Sequence, residues 1–219
     1  MKVGIVVFPG SNCDEDALHV TRDVLGHSAQ LLWHKDRDLR GSDYVILPGG
    51  FSYGDYLRCG AIARFSPVMD EVCAFAKKGG PVLGICNGFQ ILTEAGLLPG
   101  ALLLNGGQHF LCRDVLLKAD GGKNRFTRGL SRSANFRLPI AHMDGRYFID
   151  EEGLRRLEDA GQVAFRYVDD NPNGSLKAIA GVVNATGNVL GLMPHPERNA
   201  ESLLGNLDGR TVFEALLGS

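Results

Sequence analysis

The chain has 219 residues, of which 44% are hydrophobic and 22% charged, and its formal net charge at pH 7 is −2. This composition provides ample apolar surface for a core and excludes an intrinsically disordered chain. The small net charge and the lack of a dense Lys/Arg cluster exclude a nucleic acid as partner. The length fits one domain, so we expect residues 1–219 to form a single unit.

The cysteines and the apolar runs bear on cellular location. The five cysteines are odd in number and none forms a CxxC pair, so we predict neither a disulfide framework nor a metal site. The first apolar run ends at Pro9 and lacks the features of a signal peptide, and no apolar stretch is long enough to cross a bilayer. We therefore expect a cytoplasmic protein without membrane contact.

Short strands and helices alternate along the first half of the chain. Uninterrupted apolar runs predict strands over residues 2–8, 30–33, 44–47 and 82–85, and helical spacing predicts helices over 14–25 and 67–78. Because each run is apolar throughout, we expect helices to cover both faces of the sheet. The pattern predicts a doubly wound, mainly parallel α/β sheet of the flavodoxin-like kind.

The second half of the chain predicts an antiparallel extension of this sheet. Strands are expected over residues 110–117, 178–183 and 189–193, and helices over 151–157 and 211–217. The polar residues between the last two strands predict that these strands form a hairpin.

The sharpest motif is Gly84-Ile85-Cys86-Asn87-Gly88, which lies between a predicted strand and the helical segment 89–94. A nucleophile between two glycines at a strand-to-helix turn is typical of an elbow that holds the reactive side chain in a strained conformation. The N-terminus of the following helix stabilises negative charge on the sulfur. Cys86 is therefore the predicted nucleophile. The other cysteines lack this context and are predicted to be structural: Cys13, Cys59, Cys73 and Cys112.

A cysteine nucleophile needs a base and a group that orients the base. His195 follows the last predicted strand and is flanked by prolines, and Glu197 lies two residues further on, so we predict that Glu197 hydrogen-bonds the imidazole. Alone, His-x-Glu is a weak motif and a solvated surface pair is the default interpretation. Its occurrence together with the elbow favours catalysis. His109 and His142 are second-line candidates.

Acyl transfer also needs donors for the oxyanion of the tetrahedral intermediate. The sequence Pro48-Gly49-Gly50-Phe51 follows the third predicted strand, and its backbone N–H groups, together with that of Asn87, are candidates for these donors. By itself, this loop is equally well explained as a plain glycine turn. Its glycines match neither a dinucleotide-binding nor a Walker motif, so nucleotide binding is not predicted.

Three motifs in this order resemble class I glutamine amidotransferases: Pro48-Gly49-Gly50, the Cys86 elbow with Gln90, and His195-Pro196-Glu197. More narrowly, three longer sequences are similar to the glutaminase subunits of phosphoribosylformylglycinamidine synthases. These sequences are residues 8–14 (FPGSNCD), 49–56 (GGFSYGDY) and 194–198 (PHPER). The resemblance covers nearly the whole chain.

The resemblance implies that Cys86 attacks glutamine to give a glutamyl thioester and ammonia, with His195 as base and acid and Glu197 as its orienting group. It also implies that the N–H groups of Gly50 and Asn87 bind the oxyanion. The implied substrate-binding residues are Gln90, Phe51 and His142. Ammonia is expected to pass to a large synthase subunit that binds ATP and Mg²⁺, assisted by a small third subunit, in purine biosynthesis. No cofactor is expected on this chain.

One segment departs from the family pattern. The family reads His-Gly-Glu-Gly-Arg where this chain has His142-Met143-Asp144-Gly145-Arg146, so the acid is one carbon shorter and a glycine is replaced by methionine. The predicted triad lies outside this segment.

Three other functions compete with this hypothesis. A non-catalytic assembly subunit is disfavoured by the complete triad. A cysteine hydrolase or stress protein of the related flavodoxin-like kind also carries a cysteine elbow, but the His-Pro-Glu sequence fits it less well. A glutaminase that serves another acceptor, such as chorismate or xanthosine monophosphate, keeps the same chemistry.

Overall fold

The computed structural model describes residues 1–120 and 124–218. Within these residues, nine strands form one sheet and two strands form another. In chain order the strands are β1 (Lys2–Val7), β2 (Ser28–Trp33), β3 (Tyr44–Leu47), β4 (Val82–Ile85), β5 (Ala101–Leu103), β6 (Leu111–Ala119), β7 (Asn135–His142), β8 (Arg146–Phe148), β9 (Val163–Tyr167), β10 (Ile179–Val183) and β11 (Val189–Leu192).

Five α-helices lie in the described part of the chain. They are α1 (Asp14–His19), α2 (Pro67–Lys77), α3 (Asn87–Glu94), α4 (Glu151–Asp159) and α5 (Asp208–Leu217). The predicted helix over 14–25 ends earlier than expected as an α-helix, since Val20–Val24 forms a π-helical turn. None of the described helices is long and apolar enough to cross a membrane.

Helix boundaries follow from residues that start or stop a helix. α2 begins at Pro67, because the fixed φ and missing N–H of proline suit the first helical position. It ends shortly before Gly79, which has a φ of +88°. α4 begins after Asp150, whose side chain accepts the N–H of Gly153 at 2.6 Å.

The strand order in the large sheet is β2-β1-β3-β4-β11-β10-β9-β6-β7. The strands from β2 to β11 pair in parallel, and from β11 through β7 each neighbouring pair is antiparallel. The predicted α/β sheet with a parallel part and an antiparallel extension is confirmed, and β10 and β11 pair as the predicted hairpin. The strands β5, β7, β8 and β9 are not among the predicted ones.

The central strands and the helices on them form the core. All residues of β3, β4, β10 and β11 are buried, as expected for strands covered on both faces. Gly191 in β11 leaves room for Phe89 of α3, because a Cβ at position 191 would lie 2.0 Å from its ring. The Tyr44 hydroxyl donates to the carbonyl oxygen of Leu216 at 2.9 Å and ties α5 to the sheet.

Candidate active site

Four loops meet at one edge of the sheet. They follow β1, β3, β4 and β11, and because these strands run in the same direction, their carboxyl ends lie at the same edge. Ile85 at the end of β4 pairs with Leu192 at the end of β11. This register places Cys86 beside the loop that carries His195.

Cys86 lies in a strained elbow between β4 and α3. Its φ of 49° and ψ of −104° are outside the favoured regions for a residue with a side chain. Both flanking glycines are required by space: a Cβ at Gly84 would lie 2.6 Å from the carbonyl carbon of Gly88, and one at Gly88 would lie 1.9 Å from the carbonyl oxygen of Leu47. The backbone therefore has the geometry of a nucleophile elbow.

His195 and Glu197 form a buried pair. Their side chains are 1% and 0% exposed, and Nδ1 of His195 lies 2.5 Å from Oε1 of Glu197. The carboxylate therefore accepts a hydrogen bond from Nδ1–H, which leaves Nε2 as the ring atom available for proton transfer. Within the described residues, neither Nε2 of His195 nor Oε2 of Glu197 makes a hydrogen bond.

The surroundings of His195 favour its protonated form. Burial alone lowers the pKa of the imidazole, but the negative charges of Glu197 and of the Cys86 sulfur outweigh burial and raise the pKa well above its ordinary value. A proton on the ring is thus stabilised next to the sulfur. This arrangement suits a group that must deliver a proton to a leaving amine.

The loop after β3, residues 48–51, is called the glycine loop. It packs tightly against the imidazole of His195 and the turn after β1. A Cβ at position 49 would lie 2.6 Å from Cε1 of His195. Gly50 has a φ of +131°, and a Cβ at position 50 would lie 2.6 Å from the backbone nitrogen of Asn12. The N–H of Phe51 donates to the carbonyl oxygen of Gly10 at 3.0 Å. The Phe51 N–H is therefore occupied, and the N–H of Gly50 stays the predicted oxyanion donor of the loop.

The predicted site residues Asn87 and Gln90 belong to one hydrogen-bonded network. Nδ2 of Asn87 donates to Oε1 of Gln90 at 2.8 Å, and Nε2 of Gln90 donates to the carbonyl oxygen of Asp144 at 2.6 Å. Oδ1 of Asn87 accepts the N–H of Ser52 at 3.2 Å. The elbow, the loop after β3 and the segment 142–146 are therefore linked. Phe51, also predicted at the site, is 42% exposed and lies beside the ring of Phe110.

The end of β7 returns to the site although β7 is the last strand in the sheet order. The carbonyl oxygen of Pro139 accepts the backbone N–H of His195 at 2.9 Å, and that of Ala141 lies 3.8 Å from Sγ of Cys86. His142 follows directly and is 2% exposed. The strand β7 is not predicted from sequence, so its contacts with His195 and Cys86 are a finding of the structure.

His142 is held as a neutral imidazole. Its Nδ1 lies 3.1 Å from Oδ1 of Asn105, and its Nε2 makes no hydrogen bond within the described residues. Burial, together with the charge of His195, lowers the pKa of His142 to about 4. A neutral ring with one bonded nitrogen does not act as a proton donor at pH 7. His109, the other second-line candidate, is exposed and bonds to the carbonyl of Gly107.

Cys13, which is predicted from sequence to be structural, lies next to the buried pair. Sγ of Cys13, a ring nitrogen of His195 and a carboxylate oxygen of Glu197 all lie within 4.8 Å of one another. Thiolate, imidazole and carboxylate are zinc ligands. In this cluster, however, Nη2 of Arg198 donates to the sulfur at 2.9 Å and the imidazole is bonded to the carboxylate. The cluster is therefore a hydrogen-bonded one.

Comparison with known proteins identifies the family. Residues 1–211 match the family described as the CobB/CobQ-like glutamine amidotransferase domain. The chain is 57% identical to the phosphoribosylformylglycinamidine synthase subunit PurQ of Trichormus variabilis, over 99% of this chain and 97% of that protein. It is 54% identical to the PurQ subunit of Salinibacter ruber, over 99% of this chain and 95% of that protein. The chain belongs to the glutamine amidotransferase family.

Solved structures are similar to this chain as well. The amidotransferase is similar to a chain in the structure of PurLQS from Thermotoga maritima, with a TM-score of 0.89 and 45% identity over 99% of this chain and 97% of that chain. A glutamine amidotransferase from Thermotoga maritima matches with a TM-score of 0.64 and 19% identity over 100% of this chain and 99% of that chain. At that identity the second likeness concerns the fold alone.

Proposed function

We propose that this amidotransferase is the glutaminase subunit of a phosphoribosylformylglycinamidine synthase. It hydrolyses glutamine to glutamate and ammonia, and the ammonia converts phosphoribosylformylglycinamide to phosphoribosylformylglycinamidine on a partner subunit in purine biosynthesis. The observation that carries the chemistry is the strained Cys86 elbow beside the buried pair of His195 and Glu197. The pathway is supported by relatives at 54–57% identity that match this chain over 95–97% of their own length.

The chemistry proceeds in two halves. The sulfur of Cys86 attacks the amide carbon of glutamine, and the N–H groups of Gly50 and Asn87 stabilise the oxyanion. His195 passes a proton to the nitrogen as the C–N bond breaks, which releases ammonia and leaves a glutamyl thioester on Cys86. Water then attacks the thioester, His195 takes up the proton of the water, and glutamate leaves. Glu197 holds the ring orientation and stabilises the imidazolium throughout.

Glutamine is positioned by the residues around the elbow. Gln90 lies on the first turns of α3, and its amide is fixed by Asn87 and Asp144. Phe51 covers the substrate from the glycine loop. His142, as a neutral ring with an unpaired Nε2, accepts a hydrogen bond from the substrate.

The partners of the chain are a large synthase subunit, which binds ATP and Mg²⁺, and a small accessory subunit. The structure from Thermotoga maritima that contains the similar chain is described as PurLQS, which supports an assembly of this kind. The chain itself carries no cofactor or metal in this proposal. In this proposal it works as a single domain of residues 1–219 in the cytoplasm.

Glutamate release from glutamine tests the proposal. The purified chain is assayed alone and then with the synthase subunits, ATP and phosphoribosylformylglycinamide, and we expect release to rise sharply in the full mixture. Release that does not respond to the partners would keep the glutaminase and discard the purine pathway, in favour of another acceptor. No release in any mixture would support a non-catalytic assembly subunit instead.

A further inference from the structure

The turn after β1 is built into the site through its backbone. Residues 9–13 form this turn, and three hydrogen bonds join it to the loop after β3. The N–H of Phe51 donates to the carbonyl oxygen of Gly10 at 3.0 Å, that of Tyr53 to Pro9 at 2.6 Å, and that of Cys13 to Gly49 at 3.4 Å. The position of the glycine loop therefore depends on the position of this turn.

The side chain of Cys13 fills the space between the turn, the glycine loop and the imidazole. Cys13 is 1% exposed, and a Cβ at Gly49 would lie 3.2 Å from its sulfur and 2.6 Å from Cε1 of His195. The sulfur is also within 4.8 Å of a ring nitrogen of His195. A sulfur of this size limits the movement of the ring toward the turn.

Arg198 holds this sulfur in place. Its Nη2 donates to Sγ of Cys13 at 2.9 Å, while Sγ lies 3.4 Å from Oδ1 of Asn12. The Nε of Arg198 is also 4.0 Å from a carboxylate oxygen of Asp16 on α1. Since Arg198 follows Glu197 in the chain, its contact with Cys13 connects the loop of the buried pair to the turn after β1.

We propose that Cys13 and Arg198 are a positioning pair, in which the guanidinium holds the Cys13 sulfur against His195 and the Gly49–Gly50 loop, so that both keep a fixed geometry relative to Cys86. Neither residue forms or breaks a bond in the proposed reaction. The inference rests on the proposed glutaminase activity, and it adds two positioning residues to the residues proposed for that activity.

The test measures glutamine hydrolysis by the full chain assembled with the synthase subunits. We expect Cys13→Ala and Arg198→Gln each to lower kcat at least tenfold and to leave KM for glutamine within twofold, because a misplaced base affects the chemical step. Cys13→Ser is expected to recover most of the activity, since its hydroxyl also accepts the guanidinium N–H. Cys73→Ala, at a half-buried cysteine of α2, is the matched control and keeps wild-type rates.

Two further readouts separate positioning from general loss of structure. The double variant Cys13→Ala with Arg198→Gln should lose no more kcat than the more impaired of the two single variants, because the two residues act as one unit. The alkaline limb of the pH profile of kcat should move to lower pH in Cys13→Ala, since the Cys13 sulfur helps to raise the pKa of His195. Ammonia-dependent synthesis by the complex should stay unchanged.

Several outcomes would overturn the proposal that Cys13 and Arg198 are a positioning pair. They are a kcat for folded Cys13→Ala within twofold of wild type, no recovery by Cys13→Ser, or losses that multiply in the double variant. If Cys13→Ala does not fold, a folded Arg198→Gln with wild-type kcat is decisive against the proposal. A wild-type complex that releases no glutamate contradicts the proposed function itself, whereas an active wild type with unaffected variants contradicts only the positioning pair.

Discussion

Nδ1 of His195 lies 2.5 Å from Oε1 of Glu197, and both side chains are almost fully buried. A buried carboxylate is costly unless it is paired, so the imidazole must keep its Nδ1 proton toward Glu197. The pair therefore fixes which ring nitrogen faces the nucleophile. It also supplies the negative charge that raises the pKa of His195.

The first prediction concerns Glu197→Gln. The amide keeps the size of the side chain but removes the charge, so we expect kcat for glutamine hydrolysis to fall about 100-fold or more. Without that charge the pKa of His195 falls, because the imidazolium loses its stabilisation. The alkaline limb of the pH profile of kcat should consequently move to lower pH.

Glu201→Gln is the control for this variant, because Glu201 is a partly exposed acid that pairs with His19. Its kcat and pH profile should match the wild type. An unchanged pH profile in Glu197→Gln would show that the carboxylate does not set the protonation of His195.

The second prediction concerns Cys86→Ala in the assembled synthase. Glutamine-dependent synthesis should be abolished, because no thioester forms, whereas synthesis from added ammonium should continue at the wild-type rate. Product formation is measured with each nitrogen source in turn. Cys112→Ala, at an exposed cysteine, should leave both activities intact. Equal loss of both activities in Cys86→Ala would contradict the division of labour between subunits.

The local parts of the site follow directly from sequence. The elbow is encoded within five residues around Cys86, and the pair of His195 and Glu197 within three residues. Within each motif, the short spacing therefore brings the side chains together once the strands form. The parallel strand order then places the two motifs at one edge. Their catalytic roles stay predictions, but their proximity is a property of the fold.

The parts that sequence does not predict depend on long-range packing. β7 contains Pro139, and a proline inside a run argues against a strand. In the structure this proline lies in an edge strand, and its carbonyl oxygen accepts the N–H of His195. Cys13 and Arg198 are 185 positions apart, so no local pattern signals their contact. The position of this sulfur next to His195 is visible only in three dimensions.

The third prediction concerns Gly88→Ala. Gly88 lies in α3, where alanine is the better helix former, so propensity alone favours the variant. A Cβ at this position would nevertheless lie 1.9 Å from the carbonyl oxygen of Leu47, and this backbone group cannot move without disturbing β3. We expect the free energy of unfolding to fall by at least about 2 kcal/mol in urea denaturation.

Gly129→Ala is the matched control, because its Cβ would lie 3.7 Å from Cβ of Ala215, which is ordinary contact. Its stability should stay within about 0.5 kcal/mol of wild type. Wild-type stability in Gly88→Ala would mean that the elbow tolerates a shift of the glycine loop.

The fourth prediction concerns His142 and the stability of the fold at mildly acidic pH. The pKa of this buried imidazole is lowered to about 4, whereas that of the unfolded chain lies near the ordinary value of 6.5. Between these values the unfolded state binds one more proton than the folded state at this residue, so stability falls as the pH falls. The full loss in the free energy of unfolding that this pKa difference causes is about 3 kcal/mol.

Urea denaturation at pH 7 and pH 4.5 measures this effect. The wild type should lose more stability across this interval than His142→Gln, which has no proton to gain, because contributions from other titrating groups are largely common to both proteins. His109→Gln removes an exposed histidine and should show the wild-type loss. If His142→Gln loses as much stability as the wild type between these pH values, then His142 takes up its proton without cost to the fold, and a neutral ring at the site cannot be assumed.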